Sequence, residues 1–73
     1  MGSEETMKGE VKYFNGEKGF GFISVPGIEK DIFFHVSVIN DFDTTQVAVG
    51  LKVEIVGTEQ AEKGLQATGV YVI

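Results

Sequence analysis

Apolar and polar residues alternate over short stretches of the chain, and no stretch keeps a helical period for three turns. This pattern predicts short β-strands joined by turns, and the abundance of glycine and β-branched residues agrees with it. Because no helix is predicted to cover a sheet face, the strands are most economically closed into a small barrel. Five segments carry the strand pattern: 8–15, 20–24, 31–36, 52–56 and 66–72.

The connections between these segments contain turn signals. Asn15-Gly16 predicts a hairpin after the first segment, because both residues tolerate positive φ, and Pro26-Gly27 predicts the next turn. Residues 57–64 are predicted to be a turn with charged residues. The longest connection, residues 37–50, is predicted to be a loop held against the body, with or without one helical turn, by its apolar side chains: Val38, Ile39, Val47 and Val49.

Alternation along the second and third segments indicates which side chains share a face. Phe20 and Phe22 fall on one side of the second segment, and Ile23 falls on the other. The alternative arrangement places Phe20 and Phe22 inside the barrel, as is usual for large apolar residues. In the third segment one side is wholly apolar and consists of Ile32, Phe34 and Val36. The other side, which we expect to face water, consists of Asp31, Phe33 and His35.

Two observations favour outward-facing rings. If Phe20 and Phe22 pointed inward, Gly19 and Gly21 would lie on the outer face of the strand and leave it almost bare. A core of this size also has little room for three more rings. Outward rings beside lysines suit single-stranded nucleic acid, because bases stack on rings at roughly 1 to 3 kcal/mol each while lysines hold phosphates. The predicted core is Val11, Ile23, Ile32, Phe34, Val53, Ile55 and Val70.

The first segment is less regular. Strict alternation groups Val11 with Tyr13 and Lys12 with Phe14, so both rings are exposed only if the strand contains a bulge or ends there. Alternation alone therefore predicts that Lys12 and Phe14 are exposed and leaves the position of Tyr13 open.

Three segments of the chain carry a recognisable pattern: Lys12-Tyr13-Phe14-Asn15, Lys18-Gly19-Phe20-Gly21-Phe22-Ile23 and Asp31-Ile32-Phe33-Phe34-His35-Val36-Ser37. They closely resemble the cold-shock domain, whose two ribonucleoprotein-like motifs have the patterns Lys-Gly-Phe-Gly-Phe-Ile and Val-Phe-Val-His-Phe. The resemblance covers roughly residues 8 to 73, so we expect one domain at residues 7–73 and a flexible tail or cloning remnant at residues 1–6. It implies an all-β, five-stranded antiparallel OB-type barrel that binds single-stranded RNA and DNA. It also implies an RNA chaperone or a regulator of transcription or translation in cold adaptation.

Carried over position by position, the resemblance implies a nucleic-acid contact surface on this chain and places Tyr13 on it. The chain has Tyr13 where the family usually has tryptophan, Val36 where phenylalanine is usual and Leu65 where proline is common. A smaller ring and a lost ring reduce the stacking area, so we expect weaker binding than is usual for the family. The implied contacts are Lys12, Tyr13, Phe14, Lys18, Phe20, Phe22, Phe33 and His35, with Phe42, Lys63 and Gln66 at positions that match less closely.

Composition changes this picture mainly through charge. The 73 residues include six lysines and arginines against eleven carboxylates, a net charge of -5, which counts against a polyanionic partner. The excess of acid lies outside residues 7–36, where four lysines balance four carboxylates: Lys8, Lys12, Lys18 and Lys30 against Glu10, Glu17, Glu29 and Asp31. We therefore expect nucleic-acid binding to be strongly sensitive to salt.

The absence of cysteine excludes disulfides and thiolate zinc sites, and a single histidine leaves no pair for a metal. We therefore expect no metal and no cofactor. No apolar run is long enough to cross a bilayer, and we expect a cytoplasmic protein without membrane contact. We expect a monomer, although a small barrel with a long central loop also permits domain swapping.

Two rival functions compete with nucleic-acid binding. Asp31, His35 and Ser37 invite comparison with a hydrolytic triad, but they lie within seven residues and have no evident oxyanion site, so we expect no enzyme. A protein-interaction module is the stronger rival, because an exposed aromatic patch can also dock a protein and the acidic charge would oppose nonspecific nucleic-acid binding.

Overall fold

The computed structural model describes residues 6–40, 42–62 and 64–73. Residues 1–5 of the predicted tail and Lys63 of the predicted contact surface lie outside the described residues. Two 3-10 turns, Val36–Val38 and Thr44–Gln46, lie in the long connection. The strands are β1 (Met7–Asn15), β2 (Phe20–Ser24), β3 (Ile32–His35), β4 (Ile39–Asn40), β5 (Lys52–Ala61) and β6 (Gly64–Val72).

The strands form one sheet in the order β3-β2-β1-β5-β6-β4, and an additional pairing between β3 and β6 closes it. The pairs β1–β2, β2–β3, β1–β5 and β5–β6 are antiparallel, whereas the closing pair is parallel and joins Phe33 to Gln66. The predicted all-β barrel of five main strands is confirmed. The two-residue strand β4 was not predicted, and it lies parallel to β6.

The core of the barrel is formed by residues that alternate inward along the strands. Burying an aliphatic or phenyl side chain of this kind contributes about 1.5 to 3 kcal/mol. Val25, Val47 and Ala67 complete the buried set. All seven residues of the predicted core are fully buried, which confirms the inward face of each strand: Val11, Ile23, Ile32, Phe34, Val53, Ile55 and Val70.

The last hairpin differs from the sequence prediction. Residues 57–64 were predicted to be a turn, but β5 continues to Ala61 and pairs there with Gly64. The register shifts on either side of Gly57, which lets the ladder continue through an irregularity. Most side chains of β5 beyond Gly57 are exposed, so this part of the strand lacks the apolar alternation by which sequence reasoning detects strands.

The connections also differ in detail. The hairpin between β1 and β2 forms as predicted, but the glycine with positive φ is Gly19 (74°) rather than Gly16, and the Gly19 amide donates to the Asn15 carbonyl at 2.8 Å. In the long connection Val47 is buried and packs into the core, as predicted, whereas Val49 is 65% exposed. No helical segment in the described part of the chain is long and apolar enough to cross a membrane.

Candidate nucleic-acid interface

Four aromatic rings lie together on the outer side of β1, β2 and β3. Neighbouring ring centroids are 5.6 to 6.4 Å apart. Phe20 and Phe33 are stacked with an angle of 24°, whereas Phe22 meets both of these rings edge-on. Tyr13 is 46% exposed and the other three rings are half-buried, so each ring packs against its neighbours and is still accessible to solvent. We call these residues the aromatic face: Tyr13, Phe20, Phe22 and Phe33.

The strand register explains why three of these rings point outward. Phe22 pairs with Phe33 across β2 and β3, and the next pair, Ile23 with Ile32, is fully buried. The alternation predicted for these two strands is therefore confirmed. Between the rings of β2 lies Gly21, where a Cβ would lie 2.8 Å from Cε1 of Phe34 and would collide with the carbonyl oxygen of Tyr13. A glycine at this position lets the core ring of Phe34 approach the backbone closely.

Tyr13 reaches the aromatic face through a β-bulge. Val11 pairs with Ile23, but the next pair is Tyr13 with Phe22, so Lys12 is an extra residue on β1. The extra residue reverses the alternation, and Tyr13 therefore points outward although Val11 points inward. The ring centroids of Tyr13 and Phe22 are consequently 6.1 Å apart.

The same bulge turns Phe14 toward the core. Its ring lies 6.1 Å from that of Phe34 with an angle of 9°, and it is half-buried against the core. Alternation predicted an exposed Phe14, and this prediction is wrong because the bulge reverses the two faces of β1 beyond Lys12. Phe14 thus packs beneath the β1–β2 hairpin and is not one of the four outward rings.

Two of the predicted lysines border the aromatic face. Lys12 occupies the bulge, and its Nζ lies 3.5 Å from Oδ2 of Asp31, at the start of the third strand region. Lys18 is exposed in the β1–β2 turn, where its backbone amide donates to Oδ1 of Asn15 at 3.1 Å. Lys52 pairs instead with Glu10 at 3.2 Å and lies on β5, which carries none of the four rings. Among the described residues, Lys12 and Lys18 are therefore the exposed lysines that flank the aromatic face along β1 and the β1–β2 turn.

His35 ends β3 at the edge of the aromatic face, directly opposite Phe20 in the register. Its ring is exposed and is held by Ser37: the Ser37 backbone amide donates to Nδ1 at 3.1 Å, and Ser37 Oγ lies 2.9 Å from the same nitrogen. Val36 was predicted to continue the strand, but it begins a 3-10 turn and is half-buried. The His35 side chain caps this turn.

The less closely matched positions lie at the edges of this surface. Gln66 is the strand partner of Phe33 at the barrel closure, and both border a small cavity of about 300 Å³ together with Glu62. Phe42 is half-buried and packs against the core from the long connection. Gln66 thus adjoins the aromatic face, whereas the Phe42 ring packs partly against the core.

The long connection is locally ordered by Asp43, which follows Phe42. Its Oδ1 accepts from Thr45 Oγ1 at 2.7 Å and from the Thr45 amide at 3.0 Å. The hydroxyl bond and then the amide bond stabilise the carboxylate and hold the pKa of Asp43 below its usual value.

Two residues that contact the predicted interface were not in the predicted set. Asp31 contacts Lys12, and Ser37 holds His35. Alternation placed Asp31 on the same side as His35, which is the signal that could have identified it. Ser37 lies in a 3-10 turn, where the period of two no longer applies, so no pattern pointed to its contact with the ring.

Comparisons with known proteins agree with this architecture. The family model of the 'Cold-shock' DNA-binding domain matches residues 7–73. The major cold shock protein CspA of Bacillus cereus is 46% identical over 65 residues, which cover 89% of this chain and 94% of that protein. The cold shock protein CspA of Staphylococcus aureus is 46% identical over 63 residues, covering 86% and 92%.

One solved structure supports the fold alone. The Drosophila Unr CSD456 structure superposes with a TM-score of 0.75 at 20% sequence identity. The match covers 97% of this chain but only 28% of that longer chain.

Proposed function

The chain belongs to the cold-shock domain family, and from that premise we propose that it binds single-stranded RNA and DNA by stacking bases on the aromatic face. The observation that carries the proposal is the outward cluster of four rings, whose neighbouring centroids are 5.6 to 6.4 Å apart. Folding does not require large rings at the surface, and base faces stack on such rings. Lys12 and Lys18 would neutralise phosphates along the same edge.

The geometry favours single strands over duplexes. In a duplex the base faces are already stacked on one another, so a protein ring reaches them only after unstacking. An unpaired strand offers each base face in turn, and stacking tolerates every base because each has a π-face. The protein would therefore bind with modest sequence preference.

Binding to unpaired strands also supports the proposed cellular role. A protein that binds the open form of an RNA hairpin and not the closed form shifts the equilibrium toward the open form. Weak secondary structure would thus melt without an energy source, which is the action of an RNA chaperone. We include regulation of transcription or translation in cold adaptation in the same proposal.

Titration with heptathymidine tests the binding proposal directly. Tyr13 is on the aromatic face and Tyr71 is exposed on β6, so the Tyr71→Phe variant makes Tyr13 the sole tyrosine reporter. We expect saturable quenching that weakens as salt rises, because released counterions drive part of the binding. Folded protein that leaves the fluorescence and the oligonucleotide unchanged even in dilute buffer would contradict the proposal.

A protein-interaction module remains the second candidate, and the net charge of -5 is the observation that favours it. The two functions predict salt dependences of different strength, since an apolar protein interface is far less dependent on counterion release than a phosphate contact. Heptathymidine should displace a bound partner if the same rings serve both functions. It should leave the complex intact if the rings bind only protein.

A further inference from the structure

The contact between Ser37 and His35 determines which edge of the imidazole is available to a ligand. A backbone amide can only donate a hydrogen bond, so Nδ1, which lies 3.1 Å from the Ser37 nitrogen, must be the acceptor. The Ser37 hydroxyl, 2.9 Å from Nδ1, can donate to the same nitrogen. In the neutral ring the remaining proton then sits on Nε2.

The Nε2 edge lies beside the β1–β2 turn. A Cβ on Gly19 would lie 3.5 Å from Nε2 and 3.3 Å from Cγ2 of Val36, so the glycine leaves this edge uncrowded. Among residues 6–40, 42–62 and 64–73, no protein group accepts a hydrogen bond from Nε2. His35 is exposed and pairs with Phe20 of the aromatic face, which places the free donor at the border of the rings.

We propose that Ser37 is a positioning residue that fixes His35 in its Nε2–H tautomer, so that the ring edge offers a hydrogen-bond donor to an acceptor oxygen of the bound strand. The acceptor is a base carbonyl or a phosphate oxygen. The ligand part of this inference rests on the proposed function, whereas the tautomer can be measured in the free protein.

The tautomer is tested by long-range proton–nitrogen correlation NMR of uniformly labelled protein at alkaline pH, where an imidazole is uncharged. We expect the two ring nitrogens of His35 to show the distinct shifts of a single Nε2–H form. A mixture equal to that of a histidine peptide, or a predominant Nδ1–H form, would overturn the inference even if oligonucleotides bind. Absence of oligonucleotide binding with the expected tautomer would instead contradict the proposed function.

The role of Ser37 in binding is tested by a double-mutant cycle with heptathymidine. The Ser37→Ala variant should bind about threefold more weakly, since it loses one of the two donors that hold the ring, and Ser37→Thr should restore binding. The His35→Phe variant keeps an aromatic ring without the donor and should bind roughly five- to tenfold more weakly.

In the His35→Phe background, Ser37→Ala should have no further effect. An undiminished loss in that background would show that Ser37 acts independently of the ring, and the inference would fail. If His35→Phe does not fold, His35→Asn serves in its place, because the asparagine carbonyl can still cap the 3-10 turn but cannot place a donor where Nε2 lies.

The source of the acceptor is identified with heptamers in which one thymine at a time is replaced by difluorotoluene, which keeps the ring shape and lacks the carbonyl acceptors. If the loss caused by His35→Phe disappears at one substituted position, the acceptor is the carbonyl of that base. If the loss persists at every position, the acceptor is a phosphate oxygen. Either result supports the donor role of His35, and an equal affinity of wild type and His35→Phe for every heptamer contradicts it.

Discussion

The rings of Phe14 and Phe34 lie nearly parallel, with centroids 6.1 Å apart and an angle of 9°. Phe34 is fully buried and Phe14 is half-buried against it, so this pair belongs to the core although Phe14 directly follows an outward tyrosine. Two neighbouring aromatic residues on one strand therefore serve different purposes. Tyr13 presents its ring to solvent, whereas Phe14 packs its ring against the core.

We expect Phe14→Ala to lower the free energy of unfolding by about 2 to 4 kcal/mol, because it removes a ring packed on the core. Phe33→Ala should cost about 1 kcal/mol or less, since its half-buried ring packs on Phe20 and Phe22 of the aromatic face and not on the core. Urea denaturation of the two variants measures the difference. Equal losses would mean that Phe33 is as much a core residue as Phe14, and the outward assignment would then be wrong.

Phe20→Ala should weaken heptathymidine binding by about 1 to 3 kcal/mol without unfolding the domain, because it removes one stacking ring. Tyr71→Ala is the matched control: Tyr71 is 42% exposed, similar to Tyr13, but it pairs with Glu54 and Asn40 away from the aromatic face. Fluorescence anisotropy of a labelled heptamer gives both affinities. An equal loss in the control variant would indicate nonspecific contact with any exposed ring.

Lys12→Gln should reduce the salt dependence of binding, since each phosphate contact on a single strand contributes about 0.7 to the slope of log affinity against log salt. Lys52→Gln is the control, because Lys52 pairs with Glu10 and lies on β5, which carries none of the four rings. Titrations at several salt concentrations yield the two slopes. If the slopes of wild type and Lys12→Gln coincide, Lys12 does not contact a phosphate.

Gly21→Ala should destabilise the barrel by roughly 1 to 3 kcal/mol, because the added methyl group would lie 2.8 Å from Cε1 of Phe34 and force the core to shift. Gly16→Ala is a suitable comparison, since the nearest atom to its added Cβ, Cε2 of Phe14, is 3.7 Å away. Thermal unfolding should therefore show a large loss for position 21 and a small change for position 16. The reverse order would contradict the close approach of Phe34 to β2.

The Asp43 carboxylate should make folding depend on pH in the acid range. Its pKa in the folded chain is lowered by the Thr45 hydroxyl and amide, so its contribution is present above the ordinary carboxyl pKa of about 3.9 and is lost as pH falls through the lowered value. Carbon NMR titration should show a higher pKa in Thr45→Val than in wild type, because the first of the two bonds is removed. An unchanged titration would exclude the hydroxyl as the cause.

The sequence was sufficient to predict β1, β2, β3, the first half of β5 and β6, together with the core and the outward rings of β2 and β3, because burial on one side of a strand leaves a period of two. The same period could not place Tyr13 and Phe14, since the extra residue Lys12 reverses the alternation without any special residue type to mark it. The second half of β5 was missed for a related reason: its side chains are mostly exposed and carry no apolar period. The contact of Ser37 with His35 was not predicted, because Ser37 lies in a 3-10 turn where the period of two does not apply.

The seam that closes the barrel is one brief parallel contact between Phe33 and Gln66, whereas the pairs β1–β2, β2–β3, β1–β5 and β5–β6 are longer antiparallel ladders. A seam with so few cross-strand amide bonds opens at a smaller free-energy cost than the ladders, so its amides should exchange with deuterium before those of β1 and β5. Phe33 belongs both to this weak seam and to the aromatic face. A nucleic-acid strand bound across the Phe33 ring would stabilise this seam from outside. Binding would then raise the free energy of local opening and slow the exchange of the seam amides.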